Sequence, residues 1–268
     1  MGNARLEVVF TDILDSLQRI IRKHQITLEE FRLATEWLTE AGTQPNEIPL
    51  VLDLLLACTV DDVNFAVDEG TANTVEGPFF VPGAPLLSPP YRLPMRDDEP
   101  GERLLFSGTV RSVDGTPLPA AMLDIWQISA DGGYSHFHPG FPEYNLRGRL
   151  AADQDGGFEV ETVVPQPYEV PHDGATGKLL AALGRTAYRP AHLHLKLTHP
   201  GQRPLTTQIY FEDDPWLDRD VVVGATKTSL VTRLVRDGAT ATGSGSAARI
   251  ARCRYDFVLE PVPTPLMV

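Results

Sequence analysis

The chain has 268 residues, of which 42% are hydrophobic and 22% are charged, a composition typical of a globular protein with a sizeable core. Its 36 acidic residues against 23 Lys and Arg give a formal net charge of −13, which disfavours binding to nucleic acid or to acidic membrane surfaces. The two cysteines, Cys58 and Cys253, are too few and too far apart for a zinc ribbon or a disulfide framework, so we expect structural thiols.

The N-terminal 76 residues show helical periodicity. An apolar stripe at positions 6, 9, 10, 13, 14, 17, 20 and 21 predicts an amphipathic helix over residues 4–24. A capping-box sequence at 27–30 predicts a second helix that ends at Gly42, and Pro49 marks the first turn of a third helix that runs to Val63. This third helix is apolar almost all round, which indicates that something else, such as a second subunit, covers it.

Acidic residues interrupt the apolar pattern of the first helix at Glu7, Asp12 and Asp15. No later run approaches the roughly 18 to 20 consecutive apolar residues that a membrane span requires. We therefore expect no membrane span and a cytoplasmic location.

The sequence changes character at residue 77, where six prolines occur within the eighteen residues 77–94 and predict an extended connecting loop. Short alternating or apolar runs separated by Asp-Gly turns then predict strands at 104–110, 122–129, 158–164, 191–198, 206–211 and 255–261. Residues 237–247 predict a flexible surface loop. We expect a mainly β protein with a helical domain at residues 1–76 and a β-sandwich at residues 77–268.

Two histidines open one of these strands, in the stretch RPAHLHLKL. His192 and His194 share one face, because alternate residues of a strand point the same way. Their Cα atoms lie about 6.5 to 7 Å apart, so both rings can reach one metal ion. Taken alone, such a pair is more often an ordinary polar strand face than a metal site, so the spacing by itself decides little.

Two tyrosines lie in turns at strand ends, Tyr134 in DGGYSHF and Tyr168 in VVPQPYEVPHDG. A phenol with a pKa near 10 binds a metal as phenolate only when the ion is strongly charged, which favours ferric iron over zinc. Two phenolates, one hydroxide and two neutral imidazoles balance Fe(III) to zero, which a partly buried site tolerates. The alternative is that both tyrosines are hydrogen-bonded turn residues.

Longer motifs around these residues resemble those of the intradiol catechol dioxygenases, non-haem iron(III) enzymes that cleave aromatic rings. The resemblance runs from about residue 5 to residue 235. Its motifs are EGPFF at 76–80, LDIW at 123–126, DGGYS at 131–135, NLRGR at 145–149, VPQPYEVP at 164–171, RPAHLH at 189–194 and TTQIYF at 206–211.

The resemblance implies one Fe(III) per subunit and no haem, flavin or NAD. The implied iron ligands are Tyr134, Tyr168, His192 and His194. It also implies a β-sandwich catalytic domain whose N-terminal helices build a homodimer, with a phospholipid at the dimer interface as a further expectation.

The implied reaction uses O2 to cleave catechol or a substituted catechol between its two hydroxylated carbons, giving a cis,cis-muconate in aromatic degradation. Tyr168 would act as a base, and Arg189 would stabilise negative charge on the substrate. Gln208 would orient Arg189 or contact substrate. A surface salt bridge is the alternative for Arg189, and a buried structural glutamine is the alternative for Gln208.

Substrate choice is expected to depend on residues that the resemblance places beside the iron. They are Leu50, Asp53, Leu54, Val75, Gly77, Pro78 and Val170. Leu54 would narrow the pocket and favour plain catechol, whereas Asp53 would bind a third ring hydroxyl if it points inward.

Catechol is the first expectation, with hydroxyquinol and chlorocatechol as alternatives. Thr186 departs from the family pattern, in which His is frequent at this position. The resemblance therefore does not define the rim of the pocket, although it still defines the iron site. An alternative of another class is a non-catalytic β-sandwich module that binds a ligand.

Overall fold

The structure is a computed structural model that describes residues 3–67, 69–236 and 250–262. The loop predicted at 237–247 lies outside the described residues. Five α-helices are present in the described part of the chain. They are α1 (Ala4–His24), α2 (Leu28–Thr43), α3 (Glu47–Leu55), α4 (Ala57–Phe65) and α5 (Ala175–Ala182).

Side-chain caps begin the first two helices, as the sequence predicts. The Asn3 side chain accepts a hydrogen bond from the Leu6 amide at the start of α1. At the start of α2, Thr27 and Glu30 form the reciprocal capping box. Helix α1 contains no buried residue, so its apolar stripe is not covered by the rest of this chain.

The prediction of one continuous third helix is wrong. Helix α3 begins at Glu47, two residues before Pro49, and the helical path breaks at Leu56, where φ is −126°. The break has a tertiary cause: the Val223 amide donates a 2.8 Å hydrogen bond to the Leu54 carbonyl, which an unbroken helix would present to residue 58. The loop around Val223 is therefore tied to α3.

Thirteen strands occur in the described residues, and they include all six predicted strands. They are β1 (Tyr91–Arg92), β2 (Arg103–Ser112), β3 (Met122–Trp126), β4 (Arg147–Ala151), β5 (Gly157–Val163), β6 (Tyr168–Glu169), β7 (Tyr188–Arg189), β8 (His192–Thr198), β9 (Leu205–Phe211), β10 (Val231–Thr232), β11 (Val235–Arg236), β12 (Ile250–Arg254) and β13 (Phe257–Leu259).

The strands form two main sheets that pack as a sandwich, which confirms the predicted mainly β architecture. One sheet has the order β1-β5-β2-β12-β11, with β13 pairing farther along β2, and the other has the order β10-β9-β8-β3-β4. The core lies between them, and it includes the three leucines of β8 at 193, 195 and 197. Both cysteines are free and buried. Within the described residues, no helix is long and apolar enough to cross a membrane.

Strand register brings the candidate site residues together on the other face of β8. His194 pairs with Gln208 on β9 and with Trp126 on β3. The small β6–β7 sheet places Tyr168 opposite Arg189. All of these residues therefore meet at one end of the second sheet, on the face turned away from the sandwich core.

Candidate active site

The two histidines of β8 direct their Nε2 atoms toward each other, 3.0 Å apart. His192 donates from Nδ1 to the Pro190 carbonyl at 2.7 Å, which fixes the proton on Nδ1 and leaves Nε2 unprotonated. Two nitrogens bound to one ion at about 2.1 Å each lie no more than about 4.2 Å apart. The pair therefore has the separation that one shared metal ion requires.

Both predicted tyrosines lie beside this pair. The Tyr168 ring is 5.8 Å from the His192 ring, and the Tyr134 ring is 6.4 Å from the His194 ring, centre to centre. Tyr134 is buried, and its Oη has no hydrogen-bond partner among the described residues. A buried phenol oxygen without a partner is costly unless something else satisfies it, and a metal ion would do so.

Burial controls the protonation of the cluster. Burial lowers the pKa of His192 and of His194 well below the usual value, and nearby positive charge on Arg189 lowers both further. Both imidazoles are thus neutral, which is the metal-binding form. Burial likewise raises the pKa of Tyr134 well above 10, so ionisation of this phenol requires a strong cation next to it.

Within the described residues, no group of three or more His, Cys, Asp or Glu side chains is arranged to hold a metal ion. The histidine pair therefore needs further donors of another kind. Tyr134 and Tyr168 are the oxygen donors that the fold places there, so the donor set fits a hard, highly charged ion such as Fe(III).

Arg147 holds Tyr134 in place and was not identified from the sequence. This buried side chain donates to Ser135 Oγ at 2.8 Å and to the Phe79 carbonyl at 2.6 Å, and its Cζ lies 5.7 Å from the centre of the Tyr134 ring. Burial lowers its pKa to about 10. Its place in the NLRGR motif was the available signal, but the motif does not say which residue Arg147 contacts.

Aromatic rings pack against the metal-binding candidates. Phe79 stacks on Tyr134 with ring centres 4.3 Å apart, and Trp126 stacks on His194 at 4.7 Å with an angle of 10° between the planes. Such packing restricts the rotamers of Tyr134 and His194. These two side chains are therefore held in fixed orientations.

Arg189 and Gln208 belong to the same buried network. Arg189 Nη2 donates to Gln208 Oε1 at 2.8 Å, and Nη1 lies 3.3 Å from His192 Nε2. Gln208 donates in turn to the Val75 carbonyl at 2.8 Å. The ion-pair partner of Arg189 is the buried Asp220, so the surface salt bridge considered for Arg189 is not what the structure shows. Neither Asp220 nor Tyr210, which also contacts Arg189, was identified from the sequence.

A cavity of about 1200 Å³ opens beside these residues, and Tyr134, Tyr168 and Arg189 line it. All seven residues expected from the sequence to contact substrate line this cavity as well. They are Leu50, Asp53, Leu54, Val75, Gly77, Pro78 and Val170. Gly77 lies against His194, because a Cβ there would come within 3.4 Å of His194 Cε1. Sequence reasoning missed Phe79, Ile128 and Val222 in the cavity wall.

Asp53 provides a carboxylate in the wall of this mostly apolar cavity. Partial burial raises its pKa above the usual value. A carboxyl group at this position can accept a hydrogen bond from a hydroxyl on a bound ring.

Comparisons with known proteins agree with this geometry. A family model described as "Catechol dioxygenase N terminus" matches residues 3–72, and one described as "Dioxygenase" matches residues 75–261. The chain is 43% identical over 234 residues to the chlorocatechol 1,2-dioxygenase of Rhodococcus opacus, with 86% of this chain and 90% of that protein covered.

A second relative is catechol 1,2-dioxygenase 2 of Acinetobacter lwoffii, 36% identical over 239 residues, with 86% of this chain and 85% of that protein covered. The crystal structure of hydroxyquinol 1,2-dioxygenase from Pseudomonas putida superposes with a TM-score of 0.89 at 33% identity. That comparison covers 98% of this chain and 94% of the other.

Proposed function

The chain belongs to the intradiol ring-cleavage dioxygenases, non-haem iron enzymes that cleave catechols between the two hydroxylated carbons, and from this premise we propose how its own residues serve the reaction. The observation that carries the proposal is the convergence of two neutral histidines with two tyrosines that line the large cavity.

Tyr134, Tyr168, His192 and His194 are proposed to hold one Fe(III) per subunit. The unpartnered Tyr134 Oη and the two facing Nε2 atoms support this assignment. Bound there, ferric iron would act as a Lewis acid that binds the deprotonated diol and activates its ring toward O2.

The roles of the surrounding residues follow from their positions. Tyr168 lies in the cavity wall and is only half-buried, so it is placed to take a proton from the incoming diol. Arg189 brings a buried positive charge to the cavity, where it stabilises negative charge that develops on the ring. Gln208 helps to orient Arg189, because its Oε1 accepts a hydrogen bond from Arg189 Nη2.

Catechol is the proposed substrate, with hydroxyquinol and chlorocatechol as the alternatives. The apolar wall formed by Leu50, Leu54 and Val170 suits an unsubstituted ring. Asp53 is the group that would favour hydroxyquinol, because it can bind a third hydroxyl. The relatives carry three different substrate names, and the pocket residues of this chain must therefore decide among them.

The experiment is a comparison of kcat/KM on catechol, 4-chlorocatechol and hydroxyquinol, with identification of the products. We expect a cis,cis-muconate from catechol and the highest kcat/KM on catechol. Asp53→Asn serves as the diagnostic variant. It should lower kcat/KM on hydroxyquinol about 10-fold more than on catechol if hydroxyquinol binds through Asp53.

Iron binding is tested by colour. Tyrosinate bound to Fe(III) should give the purified protein a wine-red absorption that disappears on reduction. A colourless preparation that cannot be loaded with iron and binds catechol without turnover would favour the non-catalytic binding module instead. A semialdehyde product would contradict cleavage between the hydroxylated carbons.

A homodimer formed through the N-terminal helices is proposed from the uncovered apolar stripe of α1. Exposed apolar residues of α3, of α4 and of the break between them, such as Leu52, Val60 and Leu56, extend the same kind of surface. A phospholipid between the two subunits would suit this apolar surface. Organic extraction of the purified protein followed by mass spectrometry tests for the lipid.

The division into a helical domain at residues 1–76 and a catalytic domain at residues 77–268 is also a proposal. The boundary between the two family matches, after residue 72 and before residue 75, supports it. A cytoplasmic location remains our expectation, and cell fractionation that follows the ring-cleaving activity tests it.

A further inference from the structure

Asp220 forms a buried ion pair behind the proposed catalytic arginine. Its carboxylate accepts hydrogen bonds from Arg189 Nε at 3.2 Å and from Arg189 Nη2 at 3.0 Å. Both side chains are at most 5% exposed. A bidentate pair of this kind fixes the plane of the guanidinium group as well as its distance.

The Asp220 carboxylate is itself held from the opposite side. It accepts hydrogen bonds from the Val222 amide at 3.0 Å and from Thr226 Oγ1 at 3.1 Å. Four donors therefore saturate its two oxygens, and the carboxylate has no freedom to rotate. The position of the Asp220 carboxylate therefore fixes the position of the Arg189 guanidinium.

The other contacts of the Arg189 guanidinium show what the ion pair with Asp220 determines. Nη2 also contacts Gln208 Oε1 and Tyr210 Oη, whereas Nη1 faces His192 Nε2 at 3.3 Å. Rotation of the guanidinium plane would move Nη1 away from the histidine pair and from the cavity that Arg189 lines. The direction of the positive charge thus depends on Asp220.

The segment that follows Asp220 also contacts the wall of the proposed substrate cavity. Val222 lines the cavity, and the Val223 amide donates to the Leu54 carbonyl at 2.8 Å. Because Asp220 accepts from the Val222 amide, it connects the arginine to α3, the helix that carries Leu50, Asp53 and Leu54.

We propose that Asp220 is a positioning residue for ring cleavage, which sets the orientation of Arg189 toward the bound catechol and couples it to the substrate wall. This inference rests on the proposed function and on the role given there to Arg189. Asp220 needs no contact with substrate to act in this way.

The test is Asp220→Asn in the iron-loaded protein. An amide keeps the size of the carboxylate but loses its charge and one acceptor, so the guanidinium is no longer held in one plane. We expect kcat on catechol to fall about 100-fold with much less change in KM, because the charge acts on the reacting ring. Iron content and the visible absorption band should equal those of the wild type.

Asp218→Asn is the matched control, because Asp218 lies two residues away, is exposed and should not affect kcat. The Arg189→Ala variant and the double variant complete a cycle. If Asp220 acts through Arg189, adding Asp220→Asn to Arg189→Ala should change kcat by less than about threefold. Multiplying effects in the double variant would overturn the inference, as would wild-type kcat in Asp220→Asn.

Thr226→Val tests the role of Asp220 by a milder change if the Asp220→Asn protein does not fold. This change removes one donor to the carboxylate and leaves the ion pair, so kcat should fall about fivefold. An unchanged kcat in Thr226→Val would contradict the role of Asp220 as a positioning residue. Absence of turnover by the wild type on any catechol would overturn both the proposed function and this inference, whereas wild-type turnover with insensitive variants overturns only the inference.

Discussion

The two tyrosines of the candidate site have different surroundings, and this difference suits different roles. Tyr134 is fully buried, stacked on Phe79 and braced by Arg147. Tyr168 lies on a two-residue strand in the cavity wall and is only half-buried. We infer that Tyr134 is the fixed oxygen donor and that Tyr168 is the one free to move and to act as a base.

Replacement of Tyr134 by Phe tests the fixed donor. Because the Tyr134 Oη has no hydrogen-bond partner, its loss should leave the melting temperature of the metal-free protein unchanged or slightly higher. Iron content and turnover should nevertheless fall by more than the roughly 10- to 100-fold that loss of an outer-shell partner costs. Metal analysis and steady-state rates measure both effects.

The control is Tyr188→Phe, since Tyr188 stacks on Trp216 outside the metal-binding cluster. It should retain iron and activity. Wild-type iron content in the Tyr134→Phe protein would refute Tyr134 as a ligand.

The burial of Asp124 predicts that the free energy of unfolding depends on pH, independently of catalysis. It lies on β3 between Arg149 and Lys196 in the strand register. Burial nevertheless raises its pKa to about 6, against the opposing effect of those cations. Between about pH 4 and pH 6 the folded carboxyl keeps a proton that the unfolded chain releases, so its contribution to stability falls as pH rises through this window.

Denaturant unfolding of the wild type and of Asp124→Asn between pH 4 and pH 8 measures this contribution. The wild type should lose about 1 kcal/mol relative to the variant across that range, a value reduced for partial exposure to solvent. The difference should be constant above about pH 7. A difference that grows in the opposite direction would show that the nearby cations outweigh burial.

At the scale of elements, replacement of two helical glycines by Ala should have opposite effects on the free energy of unfolding. A Cβ on Gly42 of α2 would meet nothing within 4 Å, whereas one on Gly177 of α5 would overlap the His172 carbonyl oxygen. Gly42→Ala should therefore stabilise the protein by about 0.5 to 1 kcal/mol. Gly177→Ala should destabilise it by about 1 to 3 kcal/mol.

Chemical denaturation of both variants gives the comparison. Gly177→Ala should also raise KM, because His172 and Val170 belong to the cavity wall that α5 supports. Equal effects of the two substitutions would show that local propensity, and not the contact with His172, controls the result.

The elements that sequence reasoning found are those in which local pattern and tertiary burial agree. The alternating leucines of β8 predict both the strand and the face that carries His192 and His194. Strand β4 was missed, since it contains two arginines and Gly148, whose lack of a side chain leaves room for Leu87 and Leu93. The break between α3 and α4 was missed because it depends on Val223, far along the chain.

The same reasoning explains which parts of the site were found. Motifs marked the tyrosines, the histidines, Arg189 and Gln208, and the structure brings all of them together. Asp220 lies 31 residues from Arg189, and no local pattern connects the two. Contacts of this kind depend on the topology of the whole sheet, so a sequence without structure does not reveal them.

At the scale of the whole molecule, the uncovered apolar surface is the main unsatisfied feature. Eight large apolar side chains of the α1 stripe are each more than 40% exposed, although this chain has a net charge of −13. In proteins most of the stability of an amphipathic helix comes from packing of its apolar face, and no residue of α1 is buried against the rest of the chain. We therefore infer that an apolar partner covers α1, and the proposed partner is the same stripe of a second copy.

The variant Ile13→Glu/Leu17→Glu tests this dimer, because it places two charges within the stripe, where both side chains are more than half exposed in the single chain. Each buried aliphatic side chain contributes about 1.5 to 3 kcal/mol, and both subunits lose two of them, so the dissociation constant should rise at least about 10³-fold. In light scattering, the wild type should have twice the chain mass of 29.4 kDa and the variant one such mass. Thr11→Glu, which adds a charge outside the stripe of the same helix, should remain dimeric. A monomeric wild type, or a dimeric variant at the same concentration, would mean that α1 is covered by something other than a second chain, and the lipid extraction would then identify whether that cover is an apolar ligand.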